Sequence, residues 1–365
     1  MIHMNEFSAE SEALLASEAA AAERVIRSGW YIQGSELAHF ESSFASWTGL
    51  PHVAGVGNGM DAIEIGLRAA GVGPGDEIIT TPMTAYATVL AVYRAGATPV
   101  LADLDPGTAL LDLESVERCL TPRTKGVLLV HLYGQVPDMD EWSSFCSSHG
   151  IALFEDCAQA HGARWKGRHA GSFGAFGAFS FYPTKNLGAL GDAGALAGTS
   201  AALDAEARIL RNYGQTVRYH HERIGLNSRL DELQAALLSE RLKWLDRFIE
   251  RRREIAAAFD RGIANPRVRL LDPPAERENH VYHLYVLACA ERDRLAAHLR
   301  ERGIEALIHY PVPVHEQPPT KDIRRDPRGL PAAERHAATC LSLPCHPQMS
   351  EEEVAAVIEG VNSFA

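Results

Sequence analysis

The stretch SFYPTKNLGALGDAGA, residues 180–195, holds a single lysine, Lys185, among small and aromatic residues. An amine kept in a low-dielectric pocket is disfavoured as an ammonium ion, and its neutral form is the nucleophile that Schiff-base chemistry requires. The plain alternative is a solvated surface lysine. A second group lies earlier, in LFEDCAQAHGA, where Asp156 ends an apolar run. A carboxylate there needs a cation or hydrogen bonds, unless it only caps the next turn. His161 in the same segment is either a ligand or base, or a satisfied structural imidazole. A third segment is VGNGMDA, residues 56–62. Gly57 and Gly59 let the main chain approach an anion, and a helix starting there offers free N–H groups. The same turn also serves ordinary chain reversal.

These groups need elements that bring them to one end of a fold. From about Val53 to Ala195, short apolar runs alternate with helical stretches. AGVGN leads into DAIEIGLRAAG, with Ile63, Leu67 and Ala70 at helical spacing. GPGDEIITTP reads as a turn and a strand, and YATVLAVYRAGA as a helix stopped by glycine. TPVLADLDP, KGVLLVHLYG and IALFEDCAQA read as strands, with helices in LDLESVERCLTPRT and DEWSSFCSSHG. Phe176, Phe179 and Phe181 mark a strand running towards Pro183. This alternation predicts right-handed crossovers and a mostly parallel sheet. Ligands of such sheets collect at the carboxyl ends of strands and at helix N-termini, which suits all three segments.

After Asn227 the pattern predicts one long helix, roughly Leu230 to Asp260, with Leu230, Leu233, Leu237, Trp244 and Phe248 on a stripe broken at Arg241. The run RRRE at Arg251 reads as a solvated face. NHVYHLYVLAC reads as a strand, and RDRLAAHLRERGI and EEEVAAVIEGVNSF as helices. The expected division is a large domain over 1–245 and a small α/β domain over 246–365.

With 365 residues, 46% hydrophobic and 22% charged, the chain can bury a large core. A net charge of −12 disfavours nucleic acid and anionic membranes as partners. The N-terminus lacks a basic region followed by an apolar core, and no apolar run reaches membrane-spanning length. The six cysteines are scattered without a C-x-x-C pair, which predicts reduced thiols in a cytoplasmic protein and no metal site.

Glycine turn, strand-end aspartate, then Ser-x-x-x-x-Lys is the order of a pyridoxal 5'-phosphate site. The chain resembles the sugar-nucleotide aminotransferases of the DegT/DnrJ/EryC/StrS type, within fold type I of the pyridoxal-phosphate enzymes. The resemblance runs through GNGMDAIEIGLRAAGVGPGDEIITTP, HLYGQVPDMD, FEDCAQAHGA, FSFYPTKNLGALGDAGA, RNYGQ, GLNSRLDELQAALL, IHYPVPVHEQP and LSLPCHPQMSEEEV. It implies an α/β fold whose large domain has a mostly parallel sheet between helices, with a smaller C-terminal α/β domain.

By position, the resemblance implies Lys185 as the Schiff-base lysine and Asp156 as partner of the pyridine nitrogen. Gln159 corresponds to the residue against the ring, Ser180 to a phosphate-binding hydroxyl, and Gly59 and Met60 to the phosphate-holding amides. Met60 stands where threonine is common, so a hydroxyl is missing there. Asn227 corresponds to a residue that reaches the phosphate of a neighbouring subunit, which implies a homodimer with shared sites. The usual stacking aromatic of T-[WYF]-x-A-T is Ala85 here, with Tyr86 beside it as the candidate cover.

Tyr182 before the lysine, and Asn186-Leu187-Gly188 after it, resemble the branch acting on 3-keto sugars. In IHYPVPVHEQP, His309, Tyr310 and His315 are candidate contacts to the sugar nucleotide, unless that loop is packed only for structure. The implied reaction moves an amino group from L-glutamate to a nucleotide-linked, dTDP-bound 3-keto-6-deoxyhexose, with pyridoxamine 5'-phosphate in the cycle. A 4-keto sugar or a keto-cyclitol is the nearest alternative acceptor. Lys185 speaks against the dehydratases of the family, which carry histidine there. The absence of G-x-G-x-x-G weakens a nucleotide-binding oxidoreductase. A non-catalytic cofactor-binding regulator need not retain Asp156, Ser180, Lys185 and Asn227 together.

Overall fold

The computed structural model describes residues 1–365. The strands of its two larger sheets are β1 (His52–Val56), β2 (Glu77–Thr80), β3 (Thr98–Leu101), β4 (Thr124–Val130), β5 (Ala152–Asp156), β6 (Gly177–Ser180), β7 (Gly194–Gly198), β8 (Val268–Leu270), β9 (Tyr285–Cys289), β10 (Arg324–Arg325) and β11 (Cys340–Leu343). An eight-stranded sheet has the order β1-β7-β6-β5-β4-β2-β3-β10. Only β7 runs against its neighbours. The aliphatic runs explain this sheet: Val127 and Leu129 enter one core, while Leu128 enters the other. Burial on both faces is the usual state of a parallel sheet flanked by helices.

The helices of this part are α1 (Glu12–Ser28), α2 (Ser35–Thr48), α3 (Gly59–Ala69), α4 (Tyr86–Arg94), α5 (Leu113–Cys119), α6 (Met139–Ser148), α7 (Ala201–Leu210), α8 (Glu232–Leu242) and α9 (Leu245–Gly262). The mostly parallel α/β architecture thus agrees with the alternation in the sequence.

Two expectations fail in the α8–α9 region. The single long helix is two, because Lys243 and Trp244 bond to Glu240 and Arg241, tightening the last turn of α8. The leucine stripe does not survive the break, and Leu233 is exposed. Arg241 is instead buried between Glu18 and Glu10, fixing α8 to the N-terminal helix region. The RRRE run is not a solvated face either. Arg252 is buried and donates to the carbonyls of Tyr282, His283 and Cys345. Arg253 donates to the carbonyls of His280 and Glu278, and Arg251 to that of Met349. The run ties α9 to the C-terminal part by satisfying main-chain acceptors that would otherwise be buried without partners.

The C-terminal part adds α10 (Arg292–Glu301), α11 (Pro331–Thr339) and α12 (Glu351–Asn362). Its antiparallel sheet has the order β8-β9-β11. Regular pairing in NHVYHLYVLAC is confined to β9. Phe259, Leu287, Leu295, Leu341 and Val357 fill its own core. Beyond residue 300 the chain also returns to the large sheet, where β10 pairs with β3. All six cysteines are free and buried. No helix is long and apolar enough to cross a membrane.

Candidate active site

The strand ends bring the predicted groups together. Asp156 ends β5 and Ser180 ends β6. The register sets Ser180 across from Gly194, and Gly194 across from Val56. The chain then turns through Gly57 and Asn58 into α3. This junction has no spare room. A Cβ on Gly194 would lie 2.4 Å from the Asn58 carbonyl carbon, and one on Gly59 would lie 2.6 Å from the Ser180 Cβ. Glycine at both positions therefore lets the start of α3 sit against the end of β6.

That helix start has free donors. Asn58 caps it by accepting from the Asp61 N–H at 2.9 Å, and Ala62 donates to the Asn58 carbonyl. The N–H groups of Gly59 and Met60 have no partner within the chain. Two open amides beside the Ser180 hydroxyl make an anion cradle.

Asp156 is buried, and burial pushes its carboxyl above the usual range. Its oxygens accept from the Ala158 N–H at 3.1 Å and the Thr88 hydroxyl at 2.8 Å. Thr88 in turn meets the Thr84 hydroxyl at 2.8 Å. The local bond to Ala158 is the cap-like contact expected from sequence, but the bond to Thr88 is not local. No cation contacts the carboxylate directly; Lys185 acts on it through space. For Lys185, desolvation outweighs the pull of Asp156 and lowers the amine to about 8. Its surface is only partly covered, yet the amine itself lies deep.

Histidines surround this pair in neutral form. Burial and then the Lys185 charge push His161 down to about 3 and His309 down to about 4. Both ring nitrogens of His161 lack hydrogen-bond partners, and its ring packs against Phe179 and Phe181.

Gln159 is buried, and its side chain links two segments. Its carbonyl oxygen accepts from the Tyr133 N–H at 2.6 Å, and its amide donates to the Tyr310 hydroxyl at 3.3 Å. Burial, with the Asp156 charge second, raises Tyr310 to about 12, so the phenol keeps its proton. His309 and Tyr310 therefore join the Asp156–Lys185 group. His315 does not: it is buried against Glu334 at 3.3 Å, and neither Lys185 nor Asp156 is among its charged neighbours. Tyr86 opens α4 and packs against the cluster containing Met83, Val89 and Leu132, without a hydrogen bond to the group. Ala85 caps α4 and brings no aromatic ring. Asn227 is exposed, bridging to Asn212, with no hydrogen bond to Lys185 or Asp156.

The sequence reading missed Thr84, Thr88 and Tyr133. Thr84 lies just before α4 and Thr88 in its first turn, and they are the two threonines of the T-x-x-A-T segment. Tyr133 follows a strand end, the position from which ligands are approached.

The residues fit pyridoxal phosphate by their donor chemistry. The open amides of Gly59 and Met60 suit a phosphate, the unpaired buried carboxylate of Asp156 suits a protonated ring nitrogen, and the desolvated Lys185 amine suits a carbonyl. Comparison with known proteins agrees. The model of the DegT/DnrJ/EryC1/StrS aminotransferase family matches residues 13–362. A dTDP-3-amino-3,4,6-trideoxy-alpha-D-glucose transaminase of Streptomyces venezuelae is 44% identical, covering 97% of this chain and 93% of its own. A pleiotropic regulatory protein of Geobacillus stearothermophilus is 42% identical, over 94% of this chain and 92% of its own. Among solved structures, S. venezuelae DesV in complex with a ketimine intermediate aligns with a TM-score of 0.95 at 43% identity, covering 99% of this chain and 97% of that one. With the fold, the strand-end groups and these matches in agreement, the chain belongs to the DegT/DnrJ/EryC1/StrS aminotransferase family.

Proposed function

We propose that the protein transfers an amino group from L-glutamate to C3 of a nucleotide-linked 3-keto-6-deoxyhexose carried on dTDP. The product is a 3-amino sugar for antibiotic or polysaccharide biosynthesis. One observation carries the reading: a buried carboxylate without a cation and a desolvated amine face the same sheet end, as Asp156 and Lys185. The named activity of the 44% identical S. venezuelae transaminase supports the 3-amino outcome.

Pyridoxal phosphate, when bound, supplies the carbonyl that accepts the amino group and an electron sink for the carbon being deprotonated. The chain's own residues do the rest. The Lys185 amine takes a proton from the donor's α-carbon and later delivers one to the sugar carbon. An amine near 8 is well matched to both steps at neutral pH. Asp156 keeps a proton on the ring nitrogen, and Thr88 orients the carboxylate that does so. Gly59, Met60 and Ser180 would hold the phosphate, Gln159 would lie against the ring, and Tyr86 is the candidate cover beside Ala85.

Asn227, exposed within one chain, serves the phosphate of a second copy in a homodimer with shared sites. The units are 1–245 for the cofactor and 246–365 for closing the site, and the protein works in the cytoplasm. His309, Tyr310 and His315 are the proposed sugar-nucleotide contacts, the first two beside the reacting group and His315 through its loop. Selection of the 3-keto isomer rests on hydrogen bonds to hydroxyls next to the ketone, since each buried polar group left unpaired costs about 1–3 kcal/mol.

The regulatory name of the G. stearothermophilus relative favours a second reading, a cofactor-binding protein without turnover. Borohydride treatment of the loaded protein, followed by peptide mapping and a glutamate-to-sugar assay, separates the two. The expected result is cofactor fixed to Lys185 together with amino transfer. Fixation without transfer would support the second reading.

A further inference from the structure

Tyr133 is buried, carries a full aromatic side chain, and yet adopts a left-handed backbone with φ 61°. That conformation favours glycine, and a tyrosine held there needs surroundings that fix it. Gly134 follows with φ 97°, completing a turn after β4. The turn is docked on the main chain of residues 279–284. Val136 donates to the Asn279 carbonyl, Val281 to that of Gly134, and Leu284 to that of Tyr133.

The hydrogen bonds of Tyr133 form a closed ring. Its N–H donates to the Gln159 side-chain oxygen at 2.6 Å. The Gln159 amide donates to the Tyr310 hydroxyl at 3.3 Å. Tyr310 is joined by its peptide bond to His309, whose carbonyl accepts from the Tyr133 hydroxyl at 2.5 Å. One residue therefore holds both ends of the link, through its main chain and through its phenol.

The inventory of donors fixes the directions. A carbonyl only accepts, so the Tyr133 proton goes to His309. The phenol oxygen is then the acceptor towards His336 Nε2, 2.8 Å away, which makes His336 the Nε2–H tautomer. Gln159 is oriented in the same way. Its oxygen faces the Tyr133 N–H, so its amide must face Tyr310. The Tyr310 oxygen accepts that bond, and its own O–H is left without a partner in the chain. A phenol held as acceptor on one side, with its proton free, is a hydrogen-bond donor for a ligand oxygen.

We propose that Tyr133 is a positioning residue for the acceptor half of the reaction: its closed ring with Gln159, Tyr310 and His309 presents the free Tyr310 O–H to an oxygen of the sugar substrate. This inference rests on the aminotransferase reading above. It assigns the Tyr133 phenol to the sugar side, because Tyr133→Phe keeps the N–H that orients Gln159 and loses the phenol's bonds to the His309 carbonyl and to His336. The double variant with Tyr310→Phe reads whether the effect passes through Tyr310.

The test compares Tyr133→Phe, Tyr310→Phe and the double variant as cofactor-loaded enzymes. The acceptor KM and kcat are measured with dTDP-linked 3-keto sugar, and the glutamate half-reaction is followed separately by absorbance. A parallel calorimetric titration reads the affinity of the dTDP-amino sugar product. Expected are a roughly tenfold rise in acceptor KM and a similar loss of product affinity in each single variant. The glutamate half-reaction should change far less, and the double variant should be no worse than Tyr310→Phe alone. Additive losses, or equal losses in both half-reactions, would overturn the proposal. If Tyr133→Phe does not fold, His336→Ala removes the donor on the far side of the phenol. It should raise acceptor KM in the same direction by about threefold, and an unchanged KM would overturn the proposal. Failure of the wild-type enzyme to transfer from glutamate to any sugar would overturn the functional reading itself, and this inference with it.

Discussion

The two walls of the site are built in different ways. The sheet wall takes Asp156, Ser180 and Gly59 from strand ends and a helix start set by the ladder of the eight-stranded sheet, with Lys185 in the turn that follows β6. The far wall, with His309 and Tyr310, comes from a segment beyond the second core. Side-chain ties hold it. Arg118 and Ser115 bind the buried Asp326, Arg324 meets the buried Glu77, and Tyr133 bonds to the His309 carbonyl. The reactive groups are thus located by topology, and the groups proposed to select the sugar are located by tertiary hydrogen bonds and ion pairs. Such ties can change without moving the chemistry, which accommodates different sugars on one catalytic frame.

The largest break comes from the sheet wall. Lys185→Ala removes the amine proposed to carry the proton, and turnover should fall by about 10³-fold or more, while cofactor still binds non-covalently. Asp156→Asn should slow the glutamate half-reaction by on the order of 10²-fold, as measured by stopped-flow absorbance. An unchanged rate would reduce Asp156 to a cap.

A change in the far wall should have another signature. Asp326→Ala removes the acceptor shared by Ser115 and the partly exposed Arg118 and should cost about 1–3 kcal/mol in chemical unfolding. In the folded variant, the acceptor KM should rise more than the rate of the glutamate half-reaction falls. Equal effects on both would mean that the walls are not separable.

A further test concerns acid. Burial holds His161 at about 3 and His309 and His336 at about 4, against an ordinary 6.5. Below pH 6.5 the unfolded chain binds more protons than the native one, so these groups make stability fall as pH drops from about 6.5 towards 4. Denaturant melts of the cofactor-free chain across that range should show the slope. Replacing His309 and His336 should flatten it, and replacing His161 should flatten it further.

The same division explains what the sequence conveyed. The parallel sheet, α3 and α4, and the strand-end positions of Asp156 and Ser180 follow from local periodicity and turn residues. Lys185 was legible because its glycine-rich, largely uncharged run comes last in the order glycine turn, strand-end aspartate, Ser-x-x-x-x-Lys. The break between α8 and α9 was not legible. Its residues keep helical spacing, and the interruption accompanies the buried pairing of Arg241 with Glu18 and Glu10, distant in sequence. Arg251 to Arg253 looked solvated for a related reason: their acceptors are mostly carbonyls, which carry no residue identity to read. Thr88 and Tyr133 escaped because each acts through one long-range hydrogen bond or more, while their own neighbourhoods look like ordinary helix and turn.

The most direct measurement is the product formed from L-glutamate and a panel of 3-keto and 4-keto sugar nucleotides, with the aminated carbon assigned by NMR. The expected result is a 3-amino sugar from the dTDP-linked 3-keto-6-deoxyhexose, with no reaction of the 4-keto isomer. A 4-amino product alone, with the 3-keto substrates untouched, would contradict the proposed function while leaving the proposed cofactor roles of Lys185 and Asp156 intact.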